Sequence, residues 1–286
     1  MAEFFAALAQ HSFLQQALIA GLLASIGCGL IGPFVVVKRI TFLAGGIAHS
    51  VLAGMGAALF YGYDPLSGAL VAAVISAMLI GWVRLRWHTG EDTAIGALWA
   101  IGMAVGILFI SRTPGYATDL MSFLFGNILL VPTRELWFMA LLDLVLLATV
   151  ALFYRPLVAI AFDDEFARLR GVPVDLFYML LLVLVAVTVV LMIQVVGLIL
   201  VIALLTLPAA VAGQWTRTLA GMMIGATAFG ALLTGSGLAL SYAPDLPTGP
   251  TIILLAGALY LVSATAASLL ARQRAHRAVR ATTSHR

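Results

Sequence analysis

Residues 177–213 read FYMLLLVLVAVTVVLMIQVVGLILVIALLTLPAAVAG, 37 positions without a single Asp, Glu, Lys or Arg. As one α-helix this stretch would be about 55 Å long at 1.5 Å per residue. A bilayer hydrocarbon core is about 30 Å thick and needs roughly 20 apolar residues per crossing, and tilting does not absorb so large an excess. The stretch is therefore expected to cross a membrane twice, with a tight reversal near Gln194–Gly197. Apolar runs of comparable character recur from Phe13 to Leu270, near 13–37, 42–61, 65–83, 93–111, 135–153, 218–240 and 250–270, free of Asp, Glu, Lys and Arg except for Glu135 and Asp143 in the fifth. With 177–194 and 196–213 these make about nine spans. The composition agrees: 63% of the 286 residues are hydrophobic and 9% are charged, against roughly 25% charged in a soluble domain. The runs lack the period-two alternation of a barrel strand, so the fold class is an all-α polytopic membrane protein.

Charge placement gives the sidedness. If the N-terminus is outside and the C-terminus cytoplasmic, the cytoplasmic segments hold Lys38, Arg39, Arg84, Arg86, Arg155, Arg168, Arg170, Arg217 and the tail arginines Arg272, Arg274, Arg277, Arg280 and Arg286. Only Arg112 and Arg134 remain outside, a strong positive-inside bias. One membrane domain over 1–271 and a basic tail over 272–286 follow, the tail (with His276 and His285) reading as an anchor on acidic lipid headgroups and not as a nucleic-acid binder. The single cysteine, Cys28, lies inside an apolar run and excludes an intrachain disulfide. Glu3, with no Lys or Arg before the first apolar run, speaks against a cleaved signal peptide.

Two connections are long enough to have structure of their own. Ser111–Arg134 contains Pro114-Gly115 and then DLMSFLFGNILL from Asp119, a segment suited to a re-entrant or partly inserted helix. Arg155–Asp175 carries FDDEFARLRGVP over 162–173: three acids, Asp163, Asp164 and Glu165, then Arg168 and Arg170, then Gly171 and Pro173. Acids at the start, bases at the end and a terminal glycine mark a short capped helix. No GxxxxGK[ST] phosphate loop occurs, and Lys38, the only lysine, follows no glycine-rich turn. Energy from ATP would have to come from a partner, and the capped helix is a surface on which such a partner can push; otherwise it is a solvated loop helix.

Ionisable residues inside the spans are few. His49 lies about ten residues beyond Arg39, which carries it roughly 15 Å into the membrane, and groups at that depth face a cavity or a partner. Neutral imidazole is a good zinc ligand and an acceptable one for manganese or iron; alternatively it hydrogen-bonds between helices. Asp143 falls in the middle of the fifth span and is a second candidate, with a protonated packing residue as its plain alternative. Asp119 and Asp245 lie on the outer side in this topology; each is either a cation-receiving carboxylate or a cap or turn residue. Asp92-Thr93 is expected to cap the fourth span, and Pro208 to kink or hinge the seventh. Gly21, Gly27, Gly29, Gly32, Gly54, Gly56, Gly225, Gly230, Gly235 and Gly237 permit close helix approach.

The run VVVKRITFLAGGIAHSVLAG over 35–54 resembles the segment joining the first two helices in the ABC-type zinc/manganese permease family. Four further stretches agree in order: EDTAIG from Glu91, Asp119 to Leu129, Asp163 to Gly171, and VVGLILVIALLTLPAA from Val195. A sixth, DLPTGPT from Asp245, resembles the external turn before the family's last helix. The resemblance covers nearly the whole chain. It implies a multi-pass permease of the bacterial cytoplasmic membrane, working as two copies with two cytoplasmic ATPase subunits and an extracytoplasmic metal-binding protein. It also implies alternating access, no permanently bound cofactor, and a divalent metal ion such as zinc, manganese or iron as cargo. Under it, 162–173 is the ATPase-docking helix, and His49, Asp143, Asp245 and Asp119 are the metal-pathway candidates. The chain departs from the family in one place: where an aspartate usually stands four residues before the histidine, this sequence has Gly45. Three rivals remain: a permease for a siderophore or haem chelate, an ATP-independent secondary carrier, and a membrane-embedded enzyme. The last lacks clustered acids and histidines such as HExxH, and no convincing repeat supports the carrier.

Overall fold

The structure, a computed structural model, describes residues 2–87, 91–113, 126, 128–244 and 246–283. The described residues form helices α1 (Ala2–Gln10), α2 (Ser12–Val37), α3 (Thr41–Phe60), α4 (Pro65–Trp87) and α5 (Glu91–Arg112), a 3₁₀ turn η1 (Ile128–Leu130), then α6 (Thr133–Leu152), α7 (Tyr154–Phe162) and α8 (Asp164–Leu169). A continuous apolar stretch follows as α9 (Val174–Ile193) and α10 (Val196–Trp215), then α11 (Leu219–Tyr242) and α12 (Thr248–Thr283). Nine of these, α2–α6 and α9–α12, are long and apolar enough to cross a membrane. The short α1 was not foreseen; its Phe4 is buried and meets Tyr242 edge-on at 6.0 Å. Helix α12 runs on past the ninth span into the basic tail. Helix α5 starts at Glu91, which puts Asp92 in its first turn and not at the cap.

The reversal expected near Gln194–Gly197 falls at Gly197, whose φ of 76° and ψ of 165° interrupt helical backbone on both sides. Positive φ costs a side-chain-bearing residue roughly 1–2 kcal/mol, so glycine belongs there. That the chain turns back is fixed by what it touches. On α2, Gly27 sits against Thr188 and Met192 of α9, while Gly32, less than two turns further on, sits against Leu205 and Ala209 of α10. Residues on either side of Gly197 therefore lie at nearly the same depth beside one helix, which two collinear segments cannot do. Gly126 lies against the backbone of Val196 and Gly197 and covers the turn. The backbone stays helical through Pro208, and the departure is at Gly197.

Helix α2 is the hub of one group, packed against α6, α11 and the α9–α10 hairpin; α3 packs chiefly against α4 and α5; the hairpin touches both groups and α12. The approach is closest where side chains are absent: a Cβ added at Gly29 would collide with the backbone of Thr227 on α11, and one at Gly32 with the Leu205 carbonyl. Such contacts are how spans associate where lipid is as apolar as leucine. Interhelical hydrogen bonds join Ser50 to Ser76 at 2.8 Å and Trp215 to Ser263 at 2.8 Å.

Three helices end in a Schellman turn. At α3 the Tyr63 amide donates to the Ala58 carbonyl across Gly62, and at α8 the Val172 amide donates to Ala167 across Gly171, the two glycines having φ of 75° and 77°. At α2 the Ile40 amide donates to Val35 in the same way, but the left-handed position is Arg39, at φ 59°. Glycine is the usual residue in this place because it lacks the Cβ penalty.

Candidate metal pathway and docking helix

His49 is the ninth residue of the twenty in α3, so it stands at mid-span. Its imidazole stacks on the indole of Trp99 from α5, with centroids 4.0 Å apart and planes 11° from parallel. Trp99 is tethered in turn by its Nε1–H, which donates to Met103 Sδ at 3.2 Å. His49 Nδ1 is buried and has no hydrogen-bond partner among the described residues. A buried polar atom without a partner is costly and calls for a ligand or water. Gly45 lies one turn before His49, and a Cβ there would meet only Ile202 Cδ1 and Trp99, both at 3.8 Å, which is ordinary contact. The position has room for at least the first atom of a larger side chain.

Asp143 is the eleventh residue of α6, also at mid-span, and is 5% exposed. Neither carboxylate oxygen has a hydrogen-bond partner among the described residues. Its surroundings differ from those of His49. A Cβ added at Gly27 would stand 2.7 Å from Asp143 Oδ1 and 3.2 Å from Met192 Cε, so Asp143 is set against α2 and α9, while His49 faces α5. Among the described residues no three His, Cys, Asp or Glu side chains converge to hold an ion. Asp119 and Asp245 lie outside the described residues. The turn that follows Asp245 is described: Leu246, Pro247, Thr248, Gly249 and Pro250 form one wall of a cleft of about 340 Å³ whose other wall includes Gly126, Ile128 and Val196.

The segment expected to be a capped helix is α8. Asp163, in extended backbone, is its N-cap, and its side chain accepts from the Phe166 amide at 3.0 Å. Asp164 and Glu165 fill the first turn and Arg168 the last, complementing the helix dipole. Gly171 closes the helix as described. Ala167 is fully buried, whereas Phe162, Phe166 and Leu169 are 66%, 51% and 87% exposed. Arg170 lies 4.9 Å over the Phe166 ring. The end of α7 and the short helix α8 thus present three exposed apolar side chains, Phe162, Phe166 and Leu169, between charges.

Lys38 caps the C-terminal end of α2, and its side chain is 8% exposed. Its Nζ donates to the Ile160 carbonyl at 2.5 Å and to Asp164 Oδ1 at 2.6 Å. Arg168 is paired with Asp175 at the start of α9. Sequence reasoning found neither Trp99 beside His49 nor the Lys38–Asp164 pair, since both join residues far apart in the chain with no motif between them.

A bundle of nine candidate spans, with an unpartnered imidazole at mid-depth and a capped helix at one end, defines a polytopic membrane subunit built for transport. The chain belongs to the ABC 3 transport family, whose sequence profile matches residues 10–267. It is 46% identical over 254 residues to an uncharacterized membrane protein of Synechocystis sp., covering 89% of this chain and 90% of that protein. It is 36% identical over 260 residues to the manganese transport system membrane protein MntC of Halalkalibacterium halodurans, covering 91% and 89%. Among solved structures it is similar to PsaBC from Streptococcus pneumoniae, determined in complex with a Fab, with a TM-score of 0.83, 32% identity and coverage of 92% of this chain and 94% of that one.

Proposed function

We propose that this chain is the permease subunit of an ATP-driven importer of a divalent metal ion, with manganese, zinc and iron as the candidate cargoes. The observation that carries the proposal is His49: an imidazole nitrogen at mid-membrane, buried and unpartnered, in a chain similar over nine-tenths of its length to a manganese transport protein. A single neutral imidazole holds an ion loosely, which suits a conduit, since an ion bound too tightly cannot leave. Asp143, Asp119 and Asp245 are the remaining pathway candidates. Among the described residues Asp143 has two oxygens without hydrogen-bond partners but a different set of neighbours, so it would serve a separate stop and not complete the His49 sphere.

Two copies of the permease would work with two cytoplasmic ATPase subunits and an extracytoplasmic metal-binding protein. The chain has no phosphate loop, so ATP is hydrolysed on the partner, and the metal is cargo and not a resident cofactor. Helix α8 is the docking element, through Asp163, Asp164, Glu165, Arg168, Arg170 and Gly171. The exposed Phe166 and Leu169 of α8, with Phe162 at the end of α7, support this reading, because apolar side chains flanked by charge fit a protein groove better than water. The positive-inside bias orients α8 and the C-terminus to the cytoplasm and the N-terminus outward. In the cycle, a loaded binding protein docks outside, the metal passes His49, and ATP binding and hydrolysis reset the gates, with Pro208 of α10 as the proposed hinge.

The test is the total zinc, manganese and iron of a deletion strain under metal limitation, complemented with the wild-type gene or with His49→Ala. Loss of one metal, restored by wild type and not by the variant, is expected. No change in any metal would overturn the free-ion reading in favour of a chelate; restoration by His49→Ala would remove His49 from the path.

A further inference from the structure

We infer that Lys38 is the positioning residue that ties the docking helix to the tight α2–α3 connection leading to His49, so that movement of α8 is passed to α3. The inference rests on the proposed docking role of α8 and adds the connection by which docking would reach the pathway.

The geometry is specific. Helices α7 and α8 are joined at Asp163, whose backbone is extended at φ −151° and ψ 106°. Lys38 holds both sides of that joint at once: Ile160 belongs to the last turn of α7 and Asp164 to the first turn of α8. A lysine that merely capped α7 would need only the carbonyl. The second bond fixes the tilt of α8 against α7. The ammonium is nearly buried, and with two short bonds it has little freedom to trade them for water.

On the other side there is no slack. Lys38 is the C-cap of α2, the Schellman turn at Arg39 and Ile40 follows at once, and α3 begins at Thr41. His49 lies eight residues further along the same rigid helix. Among the described residues helix α8 packs chiefly on α7 and α9. Its second charged tie, Arg168 to Asp175, has both partners 56% exposed, where solvent screens it. The tie through Lys38 leads toward His49 along the chain itself, whereas Arg168–Asp175 reaches α3 only through the packing of the α9–α10 hairpin against it.

The experiment uses the permease assembled with its ATPase subunits in proteoliposomes, with the loaded binding protein outside. Metal taken up and ATP hydrolysed are measured together. Lys38→Met is expected to leave basal ATPase within about twofold of wild type and to lower metal moved per ATP by about tenfold or more. Lys38→Arg is expected to restore most of that ratio, and Asp164→Asn, which leaves the bond to Ile160, to fall between. A purely structural lysine would lower assembly and both rates together and leave the ratio unchanged. An unchanged ratio in Lys38→Met overturns the inference. If that variant does not assemble, Asp164→Asn decides: its side chain is 37% exposed and the amide is nearly the same size, and a wild-type ratio there overturns the inference equally. Failure of the wild-type complex to couple ATP to metal would instead overturn the proposed function.

Discussion

The imidazole of His49 and the indole of Trp99 lie face to face, 4.0 Å apart and 11° from parallel, at the middle of two neighbouring spans. One face of the imidazole is therefore covered, while Nδ1 in its edge has no hydrogen-bond partner among the described residues. A metal ion approaches imidazole in the ring plane, so the stack restricts the ring's orientation without blocking its donor atom.

Truncating the indole should loosen the ring. Trp99→Ala is expected to lower stability in detergent by about 1 kcal/mol through the lost ring pair alone, with Trp99→Phe costing less. Thermal unfolding of the purified permease, compared with a Met103→Leu control that removes only the tether, measures the difference.

Gly45 offers a gain-of-ligand test. Because a Cβ at this position makes only ordinary contacts, Gly45→Asp is expected to fold and to place a carboxylate one turn from His49. Metal retained by the purified protein should rise about tenfold in affinity, equivalent to about 1.4 kcal/mol, and turnover should fall as release slows. Equal retention by Gly45→Asp in a His49→Ala background would show that the two positions do not share an ion.

At Gly27 the expectation is steric. Gly27→Ala drives a methyl to within 2.7 Å of Asp143 Oδ1, and overpacking of this kind costs about 1–3 kcal/mol. Adding Asp143→Ala should recover much of the loss. A double-mutant cycle on thermal or denaturant unfolding reads the coupling, and simple additivity would mean that the two side chains do not meet.

The two left-handed backbone sites predict opposite signs. Gly197→Ala should destabilise by roughly 1–2 kcal/mol, since alanine resists positive φ. Arg39→Gly should stabilise the end of α2 by about 1 kcal/mol. Unfolding of the two variants side by side checks both, and an unchanged Arg39→Gly would mean that other contacts of the arginine balance its backbone strain.

The spans were legible in the sequence because membrane thickness sets a length, and 37 uncharged residues exceed it. The reversal was legible for the same reason, and Gly197 marked the spot. Helix facing was not legible. In a soluble helix a polar side declares which face is outward, but Ile19 is 47% exposed and its neighbour Ala20 is fully buried, and both are apolar. Trp99 could not be assigned to His49 without knowing that α3 packs on α5. Lys38 was visible as the only lysine, yet its partners lie 122 and 126 residues away. The capped helix at α8 was readable because its signals, Asp163, Arg168 and Gly171, are local.

A turn made by one glycine also hides the chain from anything that approaches in solution. Between Thr188 and Thr206 the only polar side chain is Gln194, and the turn itself is covered by Gly126. Proteases, thiol labels and inserted epitopes have no loop to find there. Accessibility mapping would score residues 174–215 as one long crossing and assign every later segment to the wrong compartment. A reporter placed in the connection after Trp215, paired with one before Val174, should give the same sidedness and expose the hidden pair.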